Sequence, residues 1–253
     1  MPRPLTRSQI RLIASRTKNQ RDSPLWHQYR KRTLTASLFA KAYRAAQSNK
    51  KNIMESFVKS WQDGGSRFSH GVPEAIQWGI DNEKHALIAY ERVLAVKNTK
   101  LKLTKTGLWV SKEGDLGASP DGLVVHSKTN DLVGIVEAKC PFSCREFAWD
   151  ELEENGRWPR YLEAERGRQI HLKPDSDYYF QIQGQLLVTK ADWCDFIVWG
   201  PRFVKVQRIY PSYAWQRRVI PVLRGFYRDH VAGPTGMSCD FRLYRQALFC
   251  VKN

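Results

Sequence analysis

The apolar positions of this 253-residue chain change period along its length. Between Pro73 and about Val96, Ile76, Ile80, Leu87, Tyr90 and Leu94 recur at helical spacings and predict one long amphipathic helix. Glu83 occupies the seam position between Ile80 and Leu87. A carboxylate turned to a core has to be paired or metal-bound, so Glu83 reads either as a salt bridge at the seam's edge or as an acid kept for a cation. Shorter, β-branched runs follow. Strands are expected near 101–104 and 108–112, and Asp121-Gly122-Leu123-Val124-Val125 and Ile135-Val136-Glu137-Ala138-Lys139 predict a hairpin. Side chains alternate along a strand, so Val133, Ile135, Glu137 and Lys139 share one face. Residues 143–154 read as helical. Residues 155–175 are polar and punctuated by Asn155-Gly156 and Lys173-Pro174, a length that suggests a lid or binding loop.

Asp177 to about Lys190 predicts a helix with Gln181 and Gln185 one turn apart on one face. Strands are expected at Trp193–Trp199 and Phe203–Ile209, then a helix from Ser212 to about Val231, kinked or broken at Pro221. Towards the amino terminus a short helix is expected around Ser8–Ser15. Ser23-Pro24 reads as an N-cap and first helical position, opening a helix that carries Trp26, Tyr29 and Arg30. Thr35 reads as the cap of a helix from Ala36 to about Ala46, with a third helix in 50–61 and a loop marked by Gly64-Gly65 and Gly71. No repeat or low-complexity stretch interrupts the chain. The organisation expected is α/β, with a basic segment at 1–23 and a single domain over 24–253.

Charge adds a partner to this picture. The net charge is +16, and residues 1–51 carry thirteen Lys and Arg against the one acid Asp22. Such an excess favours a polyanion, most often nucleic acid. A solvated basic tail is the plainer reading, but Trp26, Tyr29, Phe39 and Tyr43 among the charges favour a folded, phosphate-facing region. No apolar run approaches the length of a membrane-spanning helix. The start of the chain lacks a secretory signal, and five scattered Cys point to reduced thiols in an intracellular compartment, cytoplasm or nucleus.

The chemistry concentrates in the hairpin. Asp121, Glu137 and Lys139 fit an acid-x-Lys nuclease site, in which two carboxylates hold a divalent cation and the amine orients water or steadies phosphate charge. Ser37, at the start of a predicted helix, reads as an ordinary cap residue or, with Arg30, as an anchor for a DNA phosphate. Gly-x-Ser-x-Gly, the P-loop and HExxH are absent, and Cys140 and Cys144 lack a second pair at zinc spacing.

Six blocks occur in order: Trp26-His27-x-x-Arg30, Leu34-Thr35-Ala36-Ser37, Trp78-Gly79-x-x-x-Glu83, Ser119-Pro120-Asp121-Gly122-Leu123, Glu137-Ala138-Lys139-Cys140-Pro141-Phe142 and Gln181-x-Gln183. Over about residues 24 to 200 the chain thereby resembles the phage lambda exonuclease / YqaJ viral recombinase family of PD-(D/E)xK nucleases. The resemblance implies a restriction-endonuclease-like core, a central mixed β-sheet flanked by helices. It implies Asp121, Glu137 and the Ala138 carbonyl as ligands to Mg2+, for which Mn2+ can substitute, with Glu83 reaching the metal from its helix. It further implies Lys139 positioning the attacking water, Gln181 supporting the site, and Arg30 and Ser37 binding a terminal 5′-phosphate. The implied substrate is the double-stranded DNA end, degraded 5′→3′ in recombination, repair or viral genome processing. The alternatives are an endonuclease on the same scaffold and a non-catalytic DNA-binding module. A single-strand annealing partner, a homo-oligomer and a viral or mobile-element origin are further implications. The segment between Lys139 and Gln181 is longer than in the phage enzyme.

Overall fold

The computed structural model describes residues 4–48, 51–62, 71–97, 100–164 and 170–231. The expected Gly64-Gly65 loop lies outside them. The first helix, α1 (Arg7–Arg16), opens on a capping box in which Thr6 Oγ1 accepts from the Gln9 N–H at 3.2 Å and Gln9 Oε1 accepts from the Thr6 N–H at 2.9 Å. Helix α1 buries Ile10, Ile13 and Ala14. In α2 (Pro24–Arg30) the Ser23 hydroxyl caps the Trp26 N–H, as the Ser-Pro pair predicts. The next segment differs from expectation. Leu34 and Thr35 form a short strand, β1, and Thr35 makes no side-chain cap. Ser37 therefore lies in a tight turn at 36–38, and α3 (Phe39–Gln47) starts after it. The cause is the pairing of Leu34 with Leu116, which draws the chain into a sheet before it can coil.

Helix α4 (Lys51–Gln62) precedes the long helix α5 (Glu74–Lys97). Helix α5 is buried only from its middle onwards, at Ala86, Tyr90 and Leu94; Ile76, assigned to its seam, is 44% exposed. The strands are β2 (Leu101–Thr104), β3 (Trp109–Val110), β4 (Leu116–Ala118), β5 (Gly122–His126) and β6 (Leu132–Lys139). A short helix α6 (Trp149–Glu154), a hairpin of β7 (Leu162–Ala164) and β8 (Ile170–Leu172), and α7 (Asp177–Thr189) come next. Strands β9 (Trp193–Gly200) and β10 (Phe203–Ile209) and helix α8 (Tyr213–His230) complete the described chain. Helix α8 continues through Pro221, so of the two outcomes expected there the break does not occur.

The central sheet has the order β10-β9-β6-β5-β2, with β6 and β9 parallel and the other pairs antiparallel. It is the mixed α/β sheet expected. A second, three-stranded sheet has the order β1-β4-β3. Alternation along β6 divides the core: Ile135 packs with Ile182, Leu186 and Phe196 on the α7 side, and Val136 with Ala86, Tyr90 and Ile197 on the α5 side. Gly184 lets α3 reach α7, since a Cβ there would stand 2.5 Å from the Phe39 ring. No helix among the described residues is long and apolar enough to cross a membrane.

Candidate active site

Asp121 immediately precedes β5 and Glu137-Ala138-Lys139 closes β6, so the hairpin sets them at the same end of the sheet. The Asp121 N–H donates to the Val136 carbonyl at 3.0 Å, and Asp121 Oδ2 accepts from the Ala138 N–H at 2.8 Å. The preceding Ser-Pro pair is fixed from outside the hairpin. Trp26 Nε1 donates to Ser119 Oγ at 2.8 Å, and the Gln20 amide donates to the carbonyls of Pro120 at 2.9 Å and Thr106 at 3.1 Å. Gln20 does so from a left-handed backbone with φ of 45°, a strained conformation retained at a residue whose side chain holds the Asp121 loop.

Glu137 is 1% exposed, and both its oxygens accept hydrogen bonds. Oε1 takes the Lys139 ammonium and Gln181 Nε2, the latter at 2.6 Å; Oε2 takes Gln185 Nε2 at 2.6 Å. Lys139 Nζ also lies 4.6 Å from the centre of the Tyr178 ring. Glu83 approaches from α5, where its nearest cation is Arg21 at 3.8 Å. The structure thus joins Glu137, Lys139 and Gln181 into one hydrogen-bonded cluster, ties Asp121 to the same strand end through the Ala138 N–H, and leaves Glu83 at the edge. Neither the strained Gln20, nor Tyr178 beneath the amine, nor Arg21 beside Glu83 carried a signal in the sequence.

The charges in this cluster are out of balance. Burial, then the nearby Glu137 and Glu83 carboxylates, raise the Asp121 pKa well above the ordinary carboxylate range, against the opposing pull of Lys139 and the Ala138 N–H. Burial raises that of Glu83 too, opposed by Arg21 and reinforced by Glu137. Burial works to discharge the Lys139 amine, but Glu137 and Asp121 outweigh it and hold the pKa above its usual value. Three carboxylates sharing one end of a sheet form a site suited to a hard divalent cation, and every donor on offer is an oxygen. The donors fit by chemistry. Among the described residues no group of three or more His, Cys, Asp and Glu is already gathered in ligand geometry.

Arg30 and Ser37 also meet. They line a cavity of about 770 Å³ with His27, Lys31, Lys41 and Ser56. The Arg30 guanidinium lies 4.1 Å from the centre of the Trp26 ring, and no carboxylate among the described residues pairs with it. Burial lowers its pKa to about 10, which leaves it charged at neutral pH. Trp26 therefore touches both places: its ring face carries Arg30 and its N–H holds Ser119, two residues before Asp121. A second cation-lined cavity, of about 640 Å³, contains Arg7, Arg11, Lys112, Lys190 and Arg224.

A mixed sheet that presents an Asp and a Glu-x-Lys pair at one end, beside a cationic cavity, defines a nuclease of the restriction-endonuclease-like class. The chain belongs to the YqaJ-like viral recombinase domain family, whose sequence model matches residues 25–192. Solved structures agree on the fold. An alkaline exonuclease from Laribacter hongkongensis is 22% identical, with a TM-score of 0.52, over 89% of this chain and 98% of that one. The Shutoff and Exonuclease Protein of Kaposi's sarcoma-associated herpesvirus is 14% identical, with a TM-score of 0.57, over 94% of this chain and 75% of that one. A SOX–DNA complex matches at 15% identity and a TM-score of 0.56, over 94% and 74%. No curated protein sequence matches.

Proposed function

We propose that this chain is a divalent-metal-dependent deoxyribonuclease that degrades duplex DNA from its ends in the 5′→3′ direction, in recombination, repair or viral genome processing. The observation that carries this reading is the Trp26 link: one indole supports the guanidinium that, among the described residues, lines the Arg30–Ser37 cavity, and fixes the loop that presents Asp121. A binding place for a terminal phosphate and a cluster able to cut are thereby held in fixed relation. The solved relatives are described as exonucleases, in one case complexed with DNA, which supports the same reading.

Asp121, Glu137, the Ala138 carbonyl and Glu83 would hold the ion, Mg2+ with Mn2+ as a substitute. When bound, such an ion supplies Lewis-acid activation of water and charge neutralisation at the phosphate. The chain's own residues do the rest. Lys139, kept cationic by Glu137 and Asp121, offers hydrogen bonds to the attacking water or the phosphate oxygens. Gln181 holds Glu137 Oε1 in place. Arg30 presents a planar fork of donors to the terminal 5′-phosphate, with the Ser37 hydroxyl beside it. Pre-orienting the strand in this way removes entropy from the chemical step.

The test is nucleotide release from linear duplex DNA and from a covalently closed circle, each with Mg2+, with Mn2+ and with a chelator. Release from the linear substrate alone, abolished by the chelator, supports the reading. Equal attack on the circle would convert it to an endonuclease, and no cleavage with either metal would reduce the chain to a DNA-binding module.

A further inference from the structure

Helix α7 carries two fully buried glutamines, Gln183 and Gln185, that are satisfied in different ways. Gln183 uses both ends of its amide: Nε2 donates to the Tyr210 carbonyl at 2.9 Å and Oε1 accepts the Ser212 N–H at 2.8 Å. It ties α7 to the start of α8, a purely architectural task. Gln185 uses the end that faces Glu137, donating from Nε2 to Oε2 at 2.6 Å, while its Oε1 is buried with no hydrogen-bond partner among the described residues. An apolar side chain of the same length would fill that space without stranding a buried acceptor. The amide cannot turn round either, because Oε1 would then face a carboxylate oxygen.

We propose that Gln185 is a positioning residue that fixes the plane of the Glu137 carboxylate for metal binding. This rests on the reading of Glu137 as a metal ligand. The last torsion of a glutamate is broad, so a carboxylate held through one oxygen can still swing. With Gln181 on Oε1 and Gln185 on Oε2, one helical turn apart on the same helix, both oxygens are pinned from the α7 side. A carboxylate has about four lone-pair sites. Lys139 and Gln181 take those on Oε1 and Gln185 takes one on Oε2, which leaves a site on Oε2 for a cation.

The experiment is calorimetric titration of Mn2+ into full-length wild type and Gln185→Met, alongside kcat and KM on linear duplex DNA and thermal melting of both. Loss of a partner that orients a metal ligand weakens metal affinity or activity by about 10- to 100-fold. The expected result is a Mn2+ Kd raised by that factor and a lower kcat that excess Mn2+ partly restores, with KM for DNA unchanged. A variant that melts earlier yet binds Mn2+ and turns over like wild type at a temperature well below its melt would overturn the proposal and leave Gln185 a packing residue. If Gln185→Met does not fold, Gln185→Asn, which withdraws the donor by one methylene, is put through the same titration with the same two outcomes. Wild type that binds no Mn2+ would instead overturn the metal-ligand reading of Glu137, and this proposal with it.

Discussion

Two cation-lined cavities flank the central hairpin at opposite ends. Leu132, the first residue of β6, lines the cavity of Arg7, Arg11 and Lys112; Lys139, the last, belongs to the carboxylate cluster. At about 3.3 Å per residue these ends are roughly 20 Å apart. In the far cavity Arg224 is already answered by Glu113 at 2.7 Å and Asp115 at 3.3 Å. In the near cavity Arg30 has an aromatic ring under it and, among the described residues, no carboxylate beside it, and that ring holds the loop of Asp121. Five of the thirteen cations of residues 1–51 divide between them: Arg7 and Arg11 lie on one cavity, Arg30, Lys31 and Lys41 on the other. Charge density alone does not separate the two. What separates them is connection to the groups proposed to cut.

The largest effect expected from this comparison is at the near end. Asp121→Ala, Glu137→Ala and Lys139→Ala should each abolish cleavage, and for Lys139 a loss of at least about 100-fold follows from removing one group that stabilises transition-state charge. Near-normal turnover by any folded single variant refutes that residue's role. Next comes Arg30→Ala. A charge-assisted contact is worth about 1.5–3 kcal/mol, so digestion of 5′-phosphorylated ends should slow by about 10- to 100-fold while attack on 5′-hydroxyl ends changes little. Equal slowing of both would make Arg30 a general contact.

Salt dependence gives a smaller and more even-handed comparison. Replacing Lys31 and Lys41 together by Ala should reduce the slope of log K against log salt for duplex DNA by about 1.8, at about 0.9 per phosphate contact. Replacing Arg7 and Arg11 should leave it unaltered. Equal changes at the two ends would erase the distinction between the cavities.

The smallest effect concerns Cys140, which follows Lys139. Burial first, then the charges of Glu83 and Asp121, push its thiol up to about 12. The neutral form is favoured, so at pH 8 only on the order of one molecule in ten thousand carries the thiolate that reacts with alkylating agents. Alkylation of native protein at pH 8 should therefore spare Cys140, and mapping of the labelled peptide checks it.

Much of this was legible in the residues. Period-two alternation placed Glu137 beside Lys139, the Asp-Gly run placed Asp121 at the head of the partner strand, and the four-residue spacing of Gln181 and Gln185 placed both on one helix face. Strand β4 was hidden because Leu-Gly-Ala is too short to show a period, and β7 and β8 because three residues each lie in a polar stretch. The turn at Ser37 could not be read locally, since it follows from Leu34 pairing with a strand some eighty residues on. The periodicity of α5 was right in its second half, but period reports a face and not how much of its length is covered, so Ile76 came out exposed. The fit of Trp26 between Arg30 and Ser119 depends on tertiary placement alone.

The central claim is that a duplex end enters with its 5′-phosphate in the Arg30 cavity and is cut at the Asp121–Glu137–Lys139 cluster. The most direct measurement is a time course on one linear duplex labelled on the same strand at either the 5′ or the 3′ end, in the presence of Mg2+ and with the opposite end of the duplex blocked. The account predicts that the 5′ label leaves first, as a mononucleotide, while the 3′ label stays in long fragments until late. Early loss of the 3′ label, or release of both labels together from internal cuts, would contradict it.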